Sequence, residues 1–227
     1  LYIGGFGGHG AGHVSAELSA SAAAVDSSDD VTRTITNASL TDGGIGLSGV
    51  LGGGWLGYGY KMGPLYAGFE WDFSAGGETF EATCVGNGCR VGPNFAGAGS
   101  ITSVKAEVKF NTSGGGRIGY YLNPNTLLAV RGGIAATKFD VSTNNDSSTF
   151  SGGGPAFAAS IQSRLTDIDP NLSLRMEYLF VDYLDAPLSG WGDTSSNKPA
   201  VNYSVSGQLY QGRIGLAYSF FDVNTLF

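Results

Sequence analysis

Apolar and polar residues alternate along most of this chain. The repeat is two residues, the period of a strand with unlike faces. Leu65, Ala67, Phe69, Trp71 and Phe73 share one parity, while Tyr66, Gly68, Glu70 and Asp72 take the other. Val104, Ala106, Val108 and Phe110 oppose Lys105, Glu107 and Lys109, and further on Ile118, Tyr120 and Leu122 oppose Arg117. Leu174, Met176, Tyr178 and Phe180 oppose Arg175 and Glu177; Tyr210, Ile214, Leu216, Tyr218 and Phe220 oppose Gln211 and Arg213. No long segment carries the 3.6-residue repeat of a helix.

Two kinds of punctuation divide the alternating runs. Met62-Gly63-Pro64, Asn123-Pro124-Asn125 and Asp167-Ile168-Asp169-Pro170-Asn171 are short and built from turn residues. Longer polar segments lie at 20–44, 75–101, 143–149 and 186–201. Between them the pattern predicts eight strands, at residues 1–19, 45–61, 65–74, 102–122, 126–142, 150–166, 172–185 and 202–220. Three short turns and four long loops bring both ends to the same side.

The chain has 227 residues, and no stretch approaches the ~20 consecutive apolar residues of a spanning helix. The other structure that satisfies its backbone in lipid is a closed barrel. A water-soluble sandwich would bury the apolar parity and wet the charged one; a membrane barrel inverts this. The residues favour the barrel. Tyr58, Tyr60, Tyr120, Tyr178, Tyr218 and Phe220 gather near the short turns, where an aromatic girdle belongs. The polar parity is sparsely charged with both signs. It holds Lys61, Lys105, Lys109, Arg117, Arg131, Arg164, Arg175 and Arg213, and the acids Glu70, Asp72, Glu107 and Glu177. The expected fold is therefore all-β: an eight-stranded antiparallel up-and-down transmembrane β-barrel over residues 1–220, its four long loops extracellular and its short turns periplasmic. Residues 221–227 are expected to form a short tail or to extend the last strand. Eight strands leave no open channel, so those twelve charges are expected to pair inside a plugged lumen with a surplus of positive charge. The 38 glycines, well above the ordinary ~7%, suit close strand packing in so narrow a barrel.

Net charge of −7 argues against nucleic acid as a partner. Cys84 and Cys89 enclose only Val-Gly-Asn-Gly, which suits a loop disulfide formed in an oxidising compartment; zinc would need more ligands. The chain opens on Leu1, and an export signal is expected to have been removed ahead of it.

The glycine-rich opening Leu1-Tyr2-Ile3-Gly4-Gly5-Phe6-Gly7-Gly8 and the closing Gly212-Arg213-Ile214-Gly215-Leu216-Ala217-Tyr218-Ser219-Phe220 resemble the small eight-stranded outer-membrane β-barrel superfamily of proteobacteria, which includes the outer-membrane-protein-A barrel and the opacity-type surface proteins. The resemblance implies an integral place in the bacterial outer membrane. It implies that Arg213, Gly215, Tyr218 and Phe220 form the signal read by the barrel-assembly machinery. Outer-membrane lipid and lipopolysaccharide become expected partners, with lateral contacts to copies of itself or to other outer-membrane proteins. Such barrels usually stop at the terminal aromatic, whereas here Phe221 to Phe227 follow.

Candidate chemistry is thin. Gly44, Gly46 and Gly49 spell a dinucleotide fingerprint, but no helix pattern follows as that motif requires. His13, Ser15 and Glu17 lie at alternate positions and offer a base, a nucleophile and an orienting acid. They are similar to the His-x-Ser pair of outer-membrane lipid A deacylases, which in that family lies late in the chain. A polar loop flank explains them as well. His9 and His13 are too few for a metal or haem site, and Asp26, Asp29, Asp30 and Asp42 read as a solvated acidic loop rather than a calcium site. Trp55, Trp71 and Trp191 are assigned to girdle or loop packing. No cofactor, metal or catalytic residue is expected. The expected role is non-enzymatic, structural or interactive through the loops; a small-solute or ion pore and a lipid A hydrolase are the alternatives.

Overall fold

The computed structural model describes residues 1–21, 45–83, 103–143, 147–188 and 200–220. Nine strands follow one another: β1 (Tyr2–Ser21), β2 (Ile45–Met62), β3 (Leu65–Gly76), β4 (Glu78–Thr83), β5 (Ser103–Asn123), β6 (Thr126–Thr143), β7 (Ser147–Arg164), β8 (Leu172–Leu188) and β9 (Ala200–Ser219). All pairings are antiparallel, and β1 pairs with both β2 and β9, so the sheet closes on itself. β4 continues β3 after Gly77. It holds the same register against β2 and slips by one residue against β5, so the two form one wall strand and the barrel has eight. The segment expected as a loop from residue 75 thus stays in the wall as far as Thr83, and β6 and β7 leave only residues 144–146 between them.

Paired residues followed once around the wall run from Gly12 through Leu209, Val181, Ala156, Gly133, Gly115, Glu70 and Gly57 to Tyr2, ten positions back along β1. Eight strands with this stagger tilt strongly and enclose a bore that side chains fill. At one end the turns are tight. Gly63 takes φ 59°, the left-handed conformation that glycine adopts without Cβ strain. The amides of Asn125 and Asn171 are capped by the Asn123 and Asp169 side chains at 2.9 and 2.8 Å. Pro155, which has no N–H to give, stands where the β7–β8 ladder stops at Ala156–Val181.

The outward face is apolar. Phe69, Trp71, Phe110, Ile118, Val130, Ile134, Phe157, Met176, Tyr178, Ile214 and Leu216 all stand exposed on it. On β3 the outward row from Leu65 to Phe73 spans about 26 Å along the strand, or roughly 20 Å of height once tilted, near the ~25 Å lipid belt of outer-membrane barrels. One bulge corrects the sequence reading. Val108 pairs with Phe139 but Phe110 with Lys138, so β5 carries an extra residue at Lys109. A bulge shifts side-chain parity by one. Below it Asn111, Ser113 and Arg117 point inward; above it Val108 is buried while Lys105 and Lys109 are exposed and Glu107 is partly so. These three charges therefore lie outside the lumen, on a collar beyond the apolar belt. They pair there with one another and with Asp140: Lys109 lies 2.8 Å from Glu107 and 3.9 Å from Asp140.

Candidate functional site

The middle of the bore is crossed by a layer of charge. β3 supplies Glu70 and Asp72, β5 Arg117, β6 Arg131, β8 Arg175 and Glu177, and β9 Arg213, all buried. Each stands on the inward parity of its strand, and glycines at neighbouring inward positions make room for it. A Cβ on Gly57 would meet the Tyr2 ring at 2.3 Å, and one on Gly115 would meet the Gly132 carbonyl at 2.2 Å.

Glu70 is the hub. It accepts hydrogen bonds from the Tyr2 phenol and from both terminal nitrogens of Arg175, and lies 3.5 Å from Arg117 and from Arg131. Arg175 also donates to Glu177, and Arg131 pairs with Asp72 and, at 3.7 Å, with Glu177. Arg213 completes the layer, 3.1 Å from Asp72 and 3.3 Å from Glu177, and donates to Gln211. Aromatic faces cover the guanidiniums: Arg175 lies 4.5 Å from the centre of the Trp55 ring and Arg213 4.7 Å from that of Phe6. Trp55 is thus fully buried against the plug, not part of a girdle, whereas Trp71 is exposed on the outer face. Ions taken out of water cost several kcal/mol each unless counter-charges surround them, and this layer sets every arginine against at least one carboxylate.

The charge balance also differs from expectation. Among the described residues four arginines and four acids are buried, the fourth acid being Glu78, which accepts from Gln211 at 2.9 Å. The expected positive surplus is absent from the plug. It sits at the short-turn mouth, where Lys61 lies 4.7 Å from the Tyr121 ring and Arg164 bonds the Tyr121 side chain. Beyond the plug toward the long loops the interior turns apolar, with Val108, Ala135, Phe139, Leu179, Val181 and Leu209 in one cluster.

Other candidate residues stay apart. His9 and His13 are exposed on odd positions of β1, and His9 lies 3.4 Å from the Ser48 hydroxyl. Ser15 and Glu17 share that parity, but their side chains lie outside the described residues, as do Cys84, Cys89, Trp191 and the acidic loop with Asp26, Asp29, Asp30 and Asp42. Tyr218 and Phe220 face outward and meet edge to face at 5.6 Å. Arg213 and Gly215 of the same run face the bore. Among the described residues no cluster of three metal-ligating side chains occurs. Tyr2, Phe6 and Glu78 belong to the interior although sequence reasoning passed over them, and Gln211 lies there on the polar parity it was given. Their even or odd placement beside Arg213 and Asp72 was the available signal.

Residues 10–220 match the family model of the outer membrane protein beta-barrel domain. The chain belongs to this family. This outer membrane barrel is an integral protein of the outer membrane. No curated protein matches it. Solved structures similar to it include the outer membrane protein OprG from Pseudomonas aeruginosa (14% identity, 96% of this chain and 97% of that one covered, TM-score 0.45). Neisserial surface protein A (11%, 95% and 97%, TM-score 0.43) and Ail, the attachment invasion locus protein of Yersinia pestis, in complex with a heparin analogue (11%, 94% and 99%, TM-score 0.38), are similar too.

Proposed function

We propose that this outer membrane barrel is a closed, non-enzymatic scaffold that acts through its extracellular loops, in a structural or surface-interaction role. The single observation that carries the reading is the wall-to-wall arginine–carboxylate layer, which joins β3, β5, β6, β8 and β9 across the bore. Ions crossing the bore would have to break several buried pairs at once, each costing about 3–5 kcal/mol to disrupt. In this reading the connections at 22–44, 84–102, 144–146 and 189–199 carry recognition. Outer-membrane lipid and lipopolysaccharide surround the belt, and Arg213, Gly215, Tyr218 and Phe220 serve the barrel-assembly machinery.

Planar-bilayer recording of the refolded chain tests this. The expected trace has no unitary steps in molar potassium chloride, while an Arg175→Ala/Arg213→Ala variant, still folded by heat-modifiable gel mobility, opens detectable leaks. Regular unitary conductance from the unaltered protein would refute the closed-scaffold reading.

A further inference from the structure

Between the plug and the periplasm the bore widens into a cavity of about 300 Å³. Its lining brings together Lys61 from β2, Arg117 from β5 and Arg164 from β7, and includes no carboxylate. The acids of the plug lie behind Arg117, which faces Glu70 at 3.5 Å on one side and the cavity on the other. Asp167 and Asp169 of the neighbouring turn are outside the lining. Among the described residues no ion pair engages Lys61 or Arg164. Arg117 is buried; its terminal nitrogens donate to Tyr2, Ser160 and Gln162, and its Nε has no hydrogen-bond partner. Neutral donors complete the lining through Asn125, Gln162 and Asn171.

We infer that this periplasmic mouth is a binding site for a phosphate-type oxyanion. Three cations converging in a recess with low-dielectric walls concentrate positive potential, and guanidinium forks match tetrahedral oxyanions with charge-assisted hydrogen bonds. The volume, at the lower end of the ~300–1,000 Å³ found for ligand pockets, admits a phosphate monoester of glycerol size. Two sources carry this chemistry: a soluble phosphate monoester of the periplasm, and the headgroup of an inner-leaflet phospholipid. The cavity reaches the lipid side of the rim, where Leu1, Tyr58 and Tyr60 line it and stand exposed. The site does not require the closed-scaffold reading: the plug contributes Arg117 and Tyr2 to its floor, and the remaining lining lies on the short-turn side.

The full chain, refolded in a phosphate-free maltoside detergent, is titrated with glycerol 3-phosphate and with dihexanoyl phosphatidylglycerol, glycerol and dihexanoylglycerol serving as uncharged controls. The readout is the Arg164 side-chain resonance. Saturable shifts are expected with the phosphates and none with the controls. Loss of two charge-assisted contacts in Lys61→Gln/Arg164→Gln weakens binding by about tenfold or more, whereas Lys61→Arg, which keeps the charge and offers a fork, stays within about threefold. Lys105→Gln/Lys109→Gln on the outer collar leaves binding unchanged, and gel mobility verifies that each variant is folded. Lipid binding about tenfold tighter than that of glycerol 3-phosphate assigns the site to a leaflet headgroup; equal affinities assign it to a soluble ester. No saturable shift with either phosphate, or undiminished affinity in folded Lys61→Gln/Arg164→Gln, overturns the inference.

Discussion

Glu70→Gln is the sharpest perturbation of the plug. The substitution keeps shape and one carbonyl oxygen but removes the charge that neutralises its surroundings. Arg175 retains Glu177 and Arg131 retains Asp72. Arg117 does not fare so well: among the described residues Glu70 is its sole carboxylate partner, and its side chain is 1% exposed. A buried cation left without its counter-charge costs about 3–5 kcal/mol, a shift of roughly two to nearly four powers of ten in the folding equilibrium. Removing both partners in Glu70→Gln/Arg117→Gln takes away the orphaned charge, so the double variant should be less destabilised than the sum of the singles, by about 1.5 kcal/mol or more. Urea unfolding in lipid vesicles measures this, with folded and unfolded gel bands counted and tryptophan emission followed. With Trp71 and Trp191 replaced by phenylalanine, Trp55, against the Arg175 guanidinium, makes the fluorescence local to the plug. A Glu70→Gln change within about 0.5 kcal/mol of the parent, the range of ordinary surface substitutions, would refute the view that Arg117 depends on this carboxylate.

Further outcomes follow from the outer face. Phe69→Arg, at the middle of the β3 belt row, should destabilise the barrel in vesicles by about 2–4 kcal/mol; Lys105→Glu on the collar should change stability by no more than about 1 kcal/mol. Deleting Lys109 removes the unpaired residue and joins inward Val108 directly to outward Phe110, so the facing of β5 is kept on both sides. The expected result is a retained folded gel band and continued labelling of Lys105 by an impermeant amine reagent on intact cells; replacing the deletion by an added residue beside Lys109 should invert the facing and abolish that labelling. A cysteine placed at Ile134, exposed on the belt, should resist a membrane-impermeant maleimide that labels one placed at Lys105.

The strand order and the apolar belt could be read directly because strict alternation holds on β3, β8 and β9, where Glu70, Asp72, Arg175, Glu177 and Arg213 share the inward parity. The same rule misplaced Lys105, Glu107 and Lys109. Extrapolating parity along β5 assumes every residue is paired, and one unpaired residue at Lys109 inverts everything beyond it. A second difficulty is chemical. Toward the outer end the bore is apolar and the outside is wet, so Leu179, Val181 and Leu209 are buried at positions where a membrane barrel was expected to be polar. Trp55 was misassigned for a related reason: its indole is inward because it covers Arg175, a contact between strands far apart in sequence.

The seam where first and last strands meet carries part of the plug. Tyr2 stands on one side of it, paired with Ser219, and Arg213 on the other, paired with Gly8. Before these edges zip together, Glu70 is held away from Arg175 and Asp72 from Arg213, because β3 reaches β8 and β9 only across the closed bore. Sealing the cylinder and neutralising its axis are therefore one event. A half-assembled form would present unbalanced charge to the bilayer, which gives closure a thermodynamic direction independent of the hydrogen bonds gained along the seam.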